Sequence, residues 1–401
     1  MRLLLTLALV AAVELGAMQP AGKEIVHVGP ALPLPFSPAV KAAGLIYVSG
    51  TLSTDAQGKV VGADVGAQTR GVLDRIRQVL DAAGSSLGDV VSVQVYLKRA
   101  EDFGAMNDAY RTYFTADQPA RTTVVCDLLF GGLVEISAIA VPKGTPRQIV
   151  HPEGWPKPAN PYNYGVKTGD TLFLSGLVPR DPRTNARIEG DTGAQTAAVL
   201  TNAGEILKAA GMDFEHVVSS RVFIPDEKTF RGAGAPGERF AQLNAAYRPR
   251  FPKEPPARAT VVAGLTSPDF GVEITLTAST ASRRAISDGR PPNPNLSAAI
   301  ASGRRLYLSG MLGITDETRT DARAQTRETL ARLGKALEAG GFTWDHVVDG
   351  IVYLPKLSDY AAMNEAYREI FRAGFPARAT VGAGLVAPDG LVEIMLTAAK
   401  P

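Results

Sequence analysis

The sequence predicts an α/β (α+β) chain built from three tandem copies of one unit, each a sheet with helices on one of its faces. Two observations carry this. Five landmarks recur in the same order three times along 401 residues. Within each copy they fall on an alternation of strand-period and helix-period runs, which places helices over a sheet.

The elements follow in chain order. Met1-Arg2 precedes an apolar run from Leu3 to Val13, then Glu14 and small residues to Ala17. One positive residue, a short apolar core and a small-residue exit predict a secretory signal peptide over residues 1–17. The expected location is therefore periplasmic or secreted, and cytoplasmic if this segment is not a signal. The run is too short to span a bilayer. Each copy then has an apolar run ending in Ser-Gly: Ser49-Gly50, Ser175-Gly176 and Ser309-Gly310. A Gln-Thr pair opens the first helix (Gln68-Thr69, Gln195-Thr196, Gln325-Thr326), and Leu73, Ile76 and Leu80 mark its buried face, matched by Leu200 and Leu207, then Leu330 and Leu337. A glycine closes it, at Gly84, Gly211 and Gly340, where a cap needs positive φ.

Next, Val91, Val93, Val95 and Leu97 alternate with Ser92, Gln94 and Tyr96, as a half-buried strand does. A second helix carries an Asn three residues before a Tyr: Asn107/Tyr110, Asn244/Tyr247 and Asn364/Tyr367. In copy two a glycine-rich insertion, Arg231 to Gly237, precedes it; lacking Lys-Ser/Thr, it reads as a loop and not a phosphate cradle. Two strands end the unit. One holds Pro-Ala-Arg-x-Thr-Val around Arg121, Arg258 or Arg378; the other holds Val-Glu-Ile around Glu135, Glu273 or Glu393. Proline- and glycine-rich joints bound copies at 34–142, 158–282 and 291–400. In the last strand of copy two, Val272, Ile274 and Leu276 alternate with Glu273, Thr275 and Thr277. The polar face is too regular for a solvent edge, and three such faces can close around a shared centre.

Composition narrows function. Forty-two Lys+Arg against forty Asp+Glu, a net charge of +2, is no nucleic-acid footprint. Four histidines and one cysteine leave little for metal ligation and exclude an internal disulfide, so no metal or cofactor is expected. His216 and His346 share the repeat position of Asp89, which argues for a surface role, and Cys126 reads as an inert strand thiol. The arginine and glutamate strands, read as neighbours, also admit a structural ion pair; the serines admit a strand end and the asparagines a helix surface.

Together, Pro-Ala-Arg-x-Thr-Val, Val-Glu-Ile, Ser-Gly and the opening Pro35-Phe36-Ser37-Pro38-Ala39-Val40 resemble the RidA (YjgF, reactive intermediate deaminase; endoribonuclease L-PSP) family, three times over. The resemblance implies chorismate-mutase-like domains that normally trimerise with clefts between subunits, here a monomeric pseudo-trimer. It implies hydrolysis of 2-imino (enamine) acids to 2-keto acids and ammonia. Arg121, Arg258 and Arg378 would bind the substrate carboxylate through a guanidinium fork, and Glu135, Glu273 and Glu393 would hold the attacking water. Ser49, Gly50, Ser175, Gly176, Ser309 and Gly310 would line the clefts with Asn107, Asn244 and Asn364.

Two departures stand out. The early aromatic-hydroxyl position holds Phe36, Tyr162 and Leu296, so only copy two keeps a hydroxyl there. The cysteine position two after the arginine holds Thr123, Thr260 and Thr380. The clefts are thus expected to differ, the one using Tyr162 being the best candidate. Which copies pair stays open. Alternatives to a deaminase are a non-catalytic binder of small carboxylates, an endoribonuclease, and a chaperone-like holdase; no nucleic-acid or membrane partner is expected of the mature chain.

Overall fold

The computed structural model describes residues 22–29, 34–227, 229–372 and 374–401. The predicted signal segment lies outside them. Copy one contains β1 (Glu24–Val26), β2 (Ala39–Ala42), β3 (Leu45–Thr51), α1 (Val65–Ala82), β4 (Val90–Leu97), α2 (Phe103–Arg111), β5 (Ala120–Val125) and β6 (Val134–Ala140). Copy two repeats the order as β7 (Gln148–Val150), β8 (Gly165–Thr168), β9 (Thr171–Leu174), α3 (Thr192–Ala209), β10 (Val217–Ile224), α4 (Pro236–Tyr247), β11 (Ala257–Val262) and β12 (Glu273–Ser279). Copy three has β13 (Arg283–Ile286), β14 (Ala299–Ser302), β15 (Arg305–Leu308), β16 (Met311–Leu312), α5 (Ala322–Ala339), β17 (Val347–Leu354), α6 (Tyr360–Ile370), β18 (Ala377–Gly382), β19 (Gly384–Leu385) and β20 (Glu393–Ala399).

Each sheet is open. In copy one the order is β1-β2-β3-β6-β4-β5, with β4 and β5 parallel and the other pairs antiparallel. The last strand therefore inserts beside the middle of the sheet, and the arginine strand occupies the edge. This corrects the expectation that the arginine and glutamate strands are neighbours: β4, β10 or β17 separates them in every copy.

Local chemistry explains the helices. Asp64, Asp191 and Asp321 are the N-caps, each carboxylate accepting an N–H of the first turn. The Gln-Thr pairs therefore sit just inside the helices instead of opening them. Their glutamine oxygens accept the N–H of Leu133 (2.8 Å), Gly271 (2.6 Å) and Leu391 (2.8 Å), anchoring the turn that leads into the glutamate strand. Gly84 and Gly211 take positive φ after the C-caps as expected, whereas in copy three Gly340 is still helical and Gly341 (φ 77°) makes the turn. In copy two the insertion is a loop up to Ala235, and Pro236 opens α4. The side chain of Arg239 turns back to hold this loop through the carbonyls of Gly234 and Pro225.

Every copy has its own apolar core between helices and sheet, with Leu73, Ile76 and Leu80 in copy one, Leu200 and Leu207 in copy two, and Leu330 and Leu337 in copy three. A fourth cluster draws Val124, Val261 and Val381, with Tyr96, Phe223 and Tyr353, from all three copies onto a common axis. Backbone bridges close a ring around one end of it. The N–H of Val125 donates to Gly264 O (2.7 Å), β11 pairs with β19, and the N–H of Gly382 donates to Asp127 O (2.8 Å). At the outer rim Arg147 reaches Val90 O (2.8 Å), Arg283 reaches Val217 O (3.0 Å) and Lys23 reaches Val347 O (2.9 Å), so each copy clamps the one before it. The Lys23 contact joins copy one to copy three and completes the cycle. The polar sheet faces do meet at a shared centre, where Ser137, Thr277 and Thr397 from the last strands of the three copies line one cavity.

Candidate active site

The three arginines are the second residues of β5, β11 and β18. Each guanidinium is buried beneath its own copy's second helix. Arg121 lies 4.9 Å from the Tyr110 ring centroid, Arg258 4.8 Å from Tyr247, and Arg378 4.7 Å from Tyr367. The backbone of each arginine is held by the following copy. The N–H of Arg121 donates to Ser175 Oγ, that of Arg258 to Ser309 Oγ and that of Arg378 to Ser49 Oγ, all at 2.8 Å. The serine hydroxyls in turn donate to Asn163 O, Ser297 O and Ser37 O at 2.6 Å. With the proton and one lone pair of each hydroxyl engaged, the serines are stitches between copies that fix where the arginines stand.

The glycine after each serine admits the glutamate. A Cβ on Gly176, Gly310 or Gly50 would collide with Oε1 of Glu273, Glu393 or Glu135, so the carboxyl lies directly over a bare Cα. These glutamates are 2–4% exposed, and burial pushes each up to about 8 against the pull of the arginine facing it. Glu273 also accepts the N–H of Thr123 at 3.3 Å, and Glu135 that of Thr380. Among the described residues no ion pair within 4 Å joins Arg121 to Glu273, Arg258 to Glu393 or Arg378 to Glu135. The structural ion pair admitted from sequence is therefore absent among the described residues, and the guanidinium and the carboxyl stand apart.

Pairing is cyclic. The first cleft joins Arg121 of copy one to Ser175, Gly176, Tyr162 and Glu273 of copy two. The second joins Arg258 to Ser309, Gly310 and Glu393. The third joins Arg378 to Ser49, Gly50, Phe36 and Glu135. Tyr162 serves the arginine of another copy, its ring centroid 5.8 Å from the Arg121 guanidinium, and Phe36 stands likewise 5.6 Å from Arg378. Leu296 precedes Ser297, whose N–H donates to Pro256 O (3.2 Å) next to the Arg258 strand.

Comparison with known proteins places this geometry. The endoribonuclease L-PSP family profile matches residues 29–142, 153–280 and 289–400, most of the chain. The chain belongs to that family. It carries three RidA/YjgF-type copies in tandem. A RutC family protein of Sulfurisphaera tokodaii is 39% identical over 127 residues, 32% of this chain and 94% of the relative. One from Pyrococcus horikoshii is 44% identical over 108 residues, 26% and 86% of the two chains. The crystal structure of a chorismatase, 15% identical, superposes with a TM-score of 0.53 over 78% of this chain and 93% of that one, a likeness of fold.

Against this family background the three clefts are not copies of each other. Asn244 and Asn364 each accept a hydrogen bond from the guanidinium Nη2 of their own copy's arginine at 2.8 Å. They are buried against the arginines and are not helix surface. Asn107 instead points its amide nitrogen at Asn160 Oδ1 (3.4 Å), its own oxygen is buried without a partner, and Arg121 has no side-chain hydrogen bond among the described residues. The threonines two residues on are buried, and the hydroxyls of Thr260 and Thr380 have no partner there.

A second ring on each cleft escaped the sequence reading. Phe103 stands 5.8 Å from Arg121, Phe240 5.7 Å from Arg258, and Tyr360 5.9 Å from Arg378. These residues lie one helical turn before the asparagines and share their face with the tyrosine landmark, an i, i+4, i+7 stripe that could have been found. The stripe changes the hydroxyl count. The first cleft has Tyr162 and Phe103 beside Arg121; the third has Phe36 and Tyr360 beside Arg378, the hydroxyl ring on the other side; the second has Phe240 beside Arg258 and Leu296 at the sequence position of Phe36, neither with a hydroxyl. His216 and His346, by contrast, accept the N–H of Asp213 (3.2 Å) and Thr343 (3.0 Å) to cap a single 3₁₀ turn. Cys126 is buried in the axial cluster, with its thiol pushed well above the usual range.

Proposed function

We propose that the chain hydrolyses 2-imino acids to 2-keto acids and ammonia, and that the cleft between copies one and two does most of this work. One observation carries the reading. Arg121 is 4% exposed, ringed by Phe103, Tyr110 and Tyr162, and its guanidinium is not engaged by Asn107 or by any carboxylate. Burying a guanidinium without a counter-charge costs several kcal/mol, so the site is poised for a planar carboxylate that would take two of its N–H groups. Glu273 then faces the adjacent imine carbon. Water adds to that carbon as Glu273 takes one of its protons and hands it to the nitrogen; the hydroxyl of the resulting carbinolamine then gives up its proton through Glu273 to the same nitrogen as the C–N bond breaks, so ammonia leaves and a keto group remains. A carboxyl near 8 works close to neutral pH in both directions of that transfer. The Tyr162 hydroxyl is in reach to orient the water or the departing nitrogen.

A second reading, binding without turnover, is favoured for the cleft between copies two and three. There Asn244 occupies one arm of Arg258, and the positions of Tyr162 and Tyr360 hold Leu296 and Phe240, which suits a carboxylate with a hydrocarbon tail and lacks the aromatic hydroxyl of the other two clefts. The ribonuclease in the family label finds little support in a net charge of +2 and in arginines too enclosed to follow a phosphate backbone.

The test is ammonia release from 2-iminopropanoate generated in situ by an amino-acid oxidase. Arg121→Ala is expected to remove most of the turnover and Arg258→Ala little of it, with Arg378→Ala between them. If the folded parent releases ammonia no faster than the spontaneous rate, the deaminase reading fails.

A further inference from the structure

The pseudo-threefold axis holds a polar cavity of about 80 Å³, separate from the three clefts. In a true trimer of one domain, three identical residues would face each other across such an axis. Here they differ. Gln94, Arg221 and Ile351 share one register position on β4, β10 and β17, and Ser92, Ser219 and Asp349 share another. The axis therefore has one guanidinium and one carboxyl where its repeats carry neutral residues.

The guanidinium has no partner in the protein. Arg221 lines the cavity with no ion pair or side-chain hydrogen bond among the described residues, and it stands more than 4 Å from Asp349 on the same wall. Tyr96, fully buried, lines the cavity and its hydroxyl has no partner. A half-buried guanidinium without a partner and a buried hydroxyl without one, lining the same small cavity, describe an incomplete site.

We propose that this axial cavity binds a small monoanion, an inorganic ion or a carboxylate of one or two carbons, against Arg221 and the Tyr96 hydroxyl. Size sets the class: about 80 Å³ takes two or three waters at roughly 30 Å³ each, or one ion of a few atoms. Charge sets the condition. Burial pushes Asp349 up to about 6, so below that value the carboxyl is neutral, Arg221 is alone, and an anion restores balance.

Other groups facing the cavity do not titrate in this range. Tyr47 and Tyr307, with Arg305 behind them, and Tyr96 with Tyr353 are tyrosines raised by burial; Tyr367 behind Asp349 is raised too. Cys126 is raised, and Glu135 and Glu393, the carboxylates nearest these tyrosines, titrate near 8. Between pH 5.5 and 7.5 Asp349 is the group on the axis that changes charge.

Formate and bromide, each titrated at constant ionic strength and followed by thermal unfolding, test this. Saturable stabilisation is expected, with affinity roughly 20-fold higher at pH 5.5 than at 7.5, since only the Asp349-protonated fraction binds. Arg221→Gln installs the residue that copy one already carries at this position, so it is expected to fold and to lose the effect. Asp349→Asn is expected to bind tightly at both pH values. Crystals of the parent grown with bromide at pH 5.5 would show its anomalous peak beside Arg221. An unsaturable effect, one unchanged in Arg221→Gln, or a cavity holding only water in those crystals overturns the proposal.

Discussion

At the scale of single residues, the glycine of each Ser-Gly pair is as informative as the charged groups around it. Gly176 leaves room for a carboxyl that any side chain would displace. Gly176→Ala should therefore push Glu273 away from Arg121 while leaving the Ser175 stitch intact, and kcat/KM for imino-acid hydrolysis is expected to fall at least about tenfold with little change in fold. In the parent, kcat/KM should rise with pH and level off above an inflection near 8, the range to which burial raises Glu273. Glu273→Gln should abolish both the inflection and the rate; an unaltered profile in that variant would remove Glu273 from the mechanism. The residues themselves were legible in the sequence because arginine, glutamate, serine and glycine recur at matched spacing. What each serine does was not: a hydroxyl that lines a cleft and one that stitches two backbones have the same pattern, and only the 2.8 Å and 2.6 Å contacts separate them.

At the scale of elements, the glutamine inside each first helix ties helix to sheet. Gln195 accepts the N–H of Gly271 and donates to the carbonyls of Ile188 and Asp269, which fixes the turn into β12 and so the direction of Glu273. Gln195→Ala leaves those buried groups unpaired, and a loss of about 1–3 kcal/mol in urea unfolding is expected, with a parallel loss of activity. Helices and strands were read correctly where period and capping agreed. Sheet order was not, since the insertion of β6, β12 and β20 between earlier strands depends on pairings far apart in the chain and leaves no local trace. The same long range hid which copies build each cleft. The aromatic stripe of Phe103, Phe240 and Tyr360 was missed for a different reason: on a helix facing a sheet, a ring over a cleft has the same spacing as a ring in the core.

At the scale of the whole molecule, three buried glutamates and Asp349 share a sign. Their folded-state values, about 8 for the glutamates and about 6 for Asp349, lie above the ordinary 4.5 and 3.8. Between these limits the folded protein holds more protons than the unfolded chain, so the stability these groups favour is fully present below about 4 and is lost as pH rises towards 8. Lys23, lowered to about 8 by burial, acts only above that window. Denaturant midpoints are thus expected to fall between pH 5 and 8. Glu135→Gln, Glu273→Gln and Glu393→Gln combined should flatten most of that slope, and an unchanged slope would mean that the three carboxyls are ionised in the folded state.

The cyclic pairing of copies also orders events during synthesis. The first cleft is complete once Glu273 has emerged and the second once Glu393 has, but the third needs Phe36 and Glu135 to wait for Arg378. While it waits, the copy-one surface that β18 will cover has no occupant of its own chain, and the equivalent strand of another nascent molecule offers the same Pro-Ala-Arg segment. Slowing translation ahead of copy three, or truncating it, should therefore convert intramolecular closure into exchange between chains, with the third cleft as the seam along which such assemblies join.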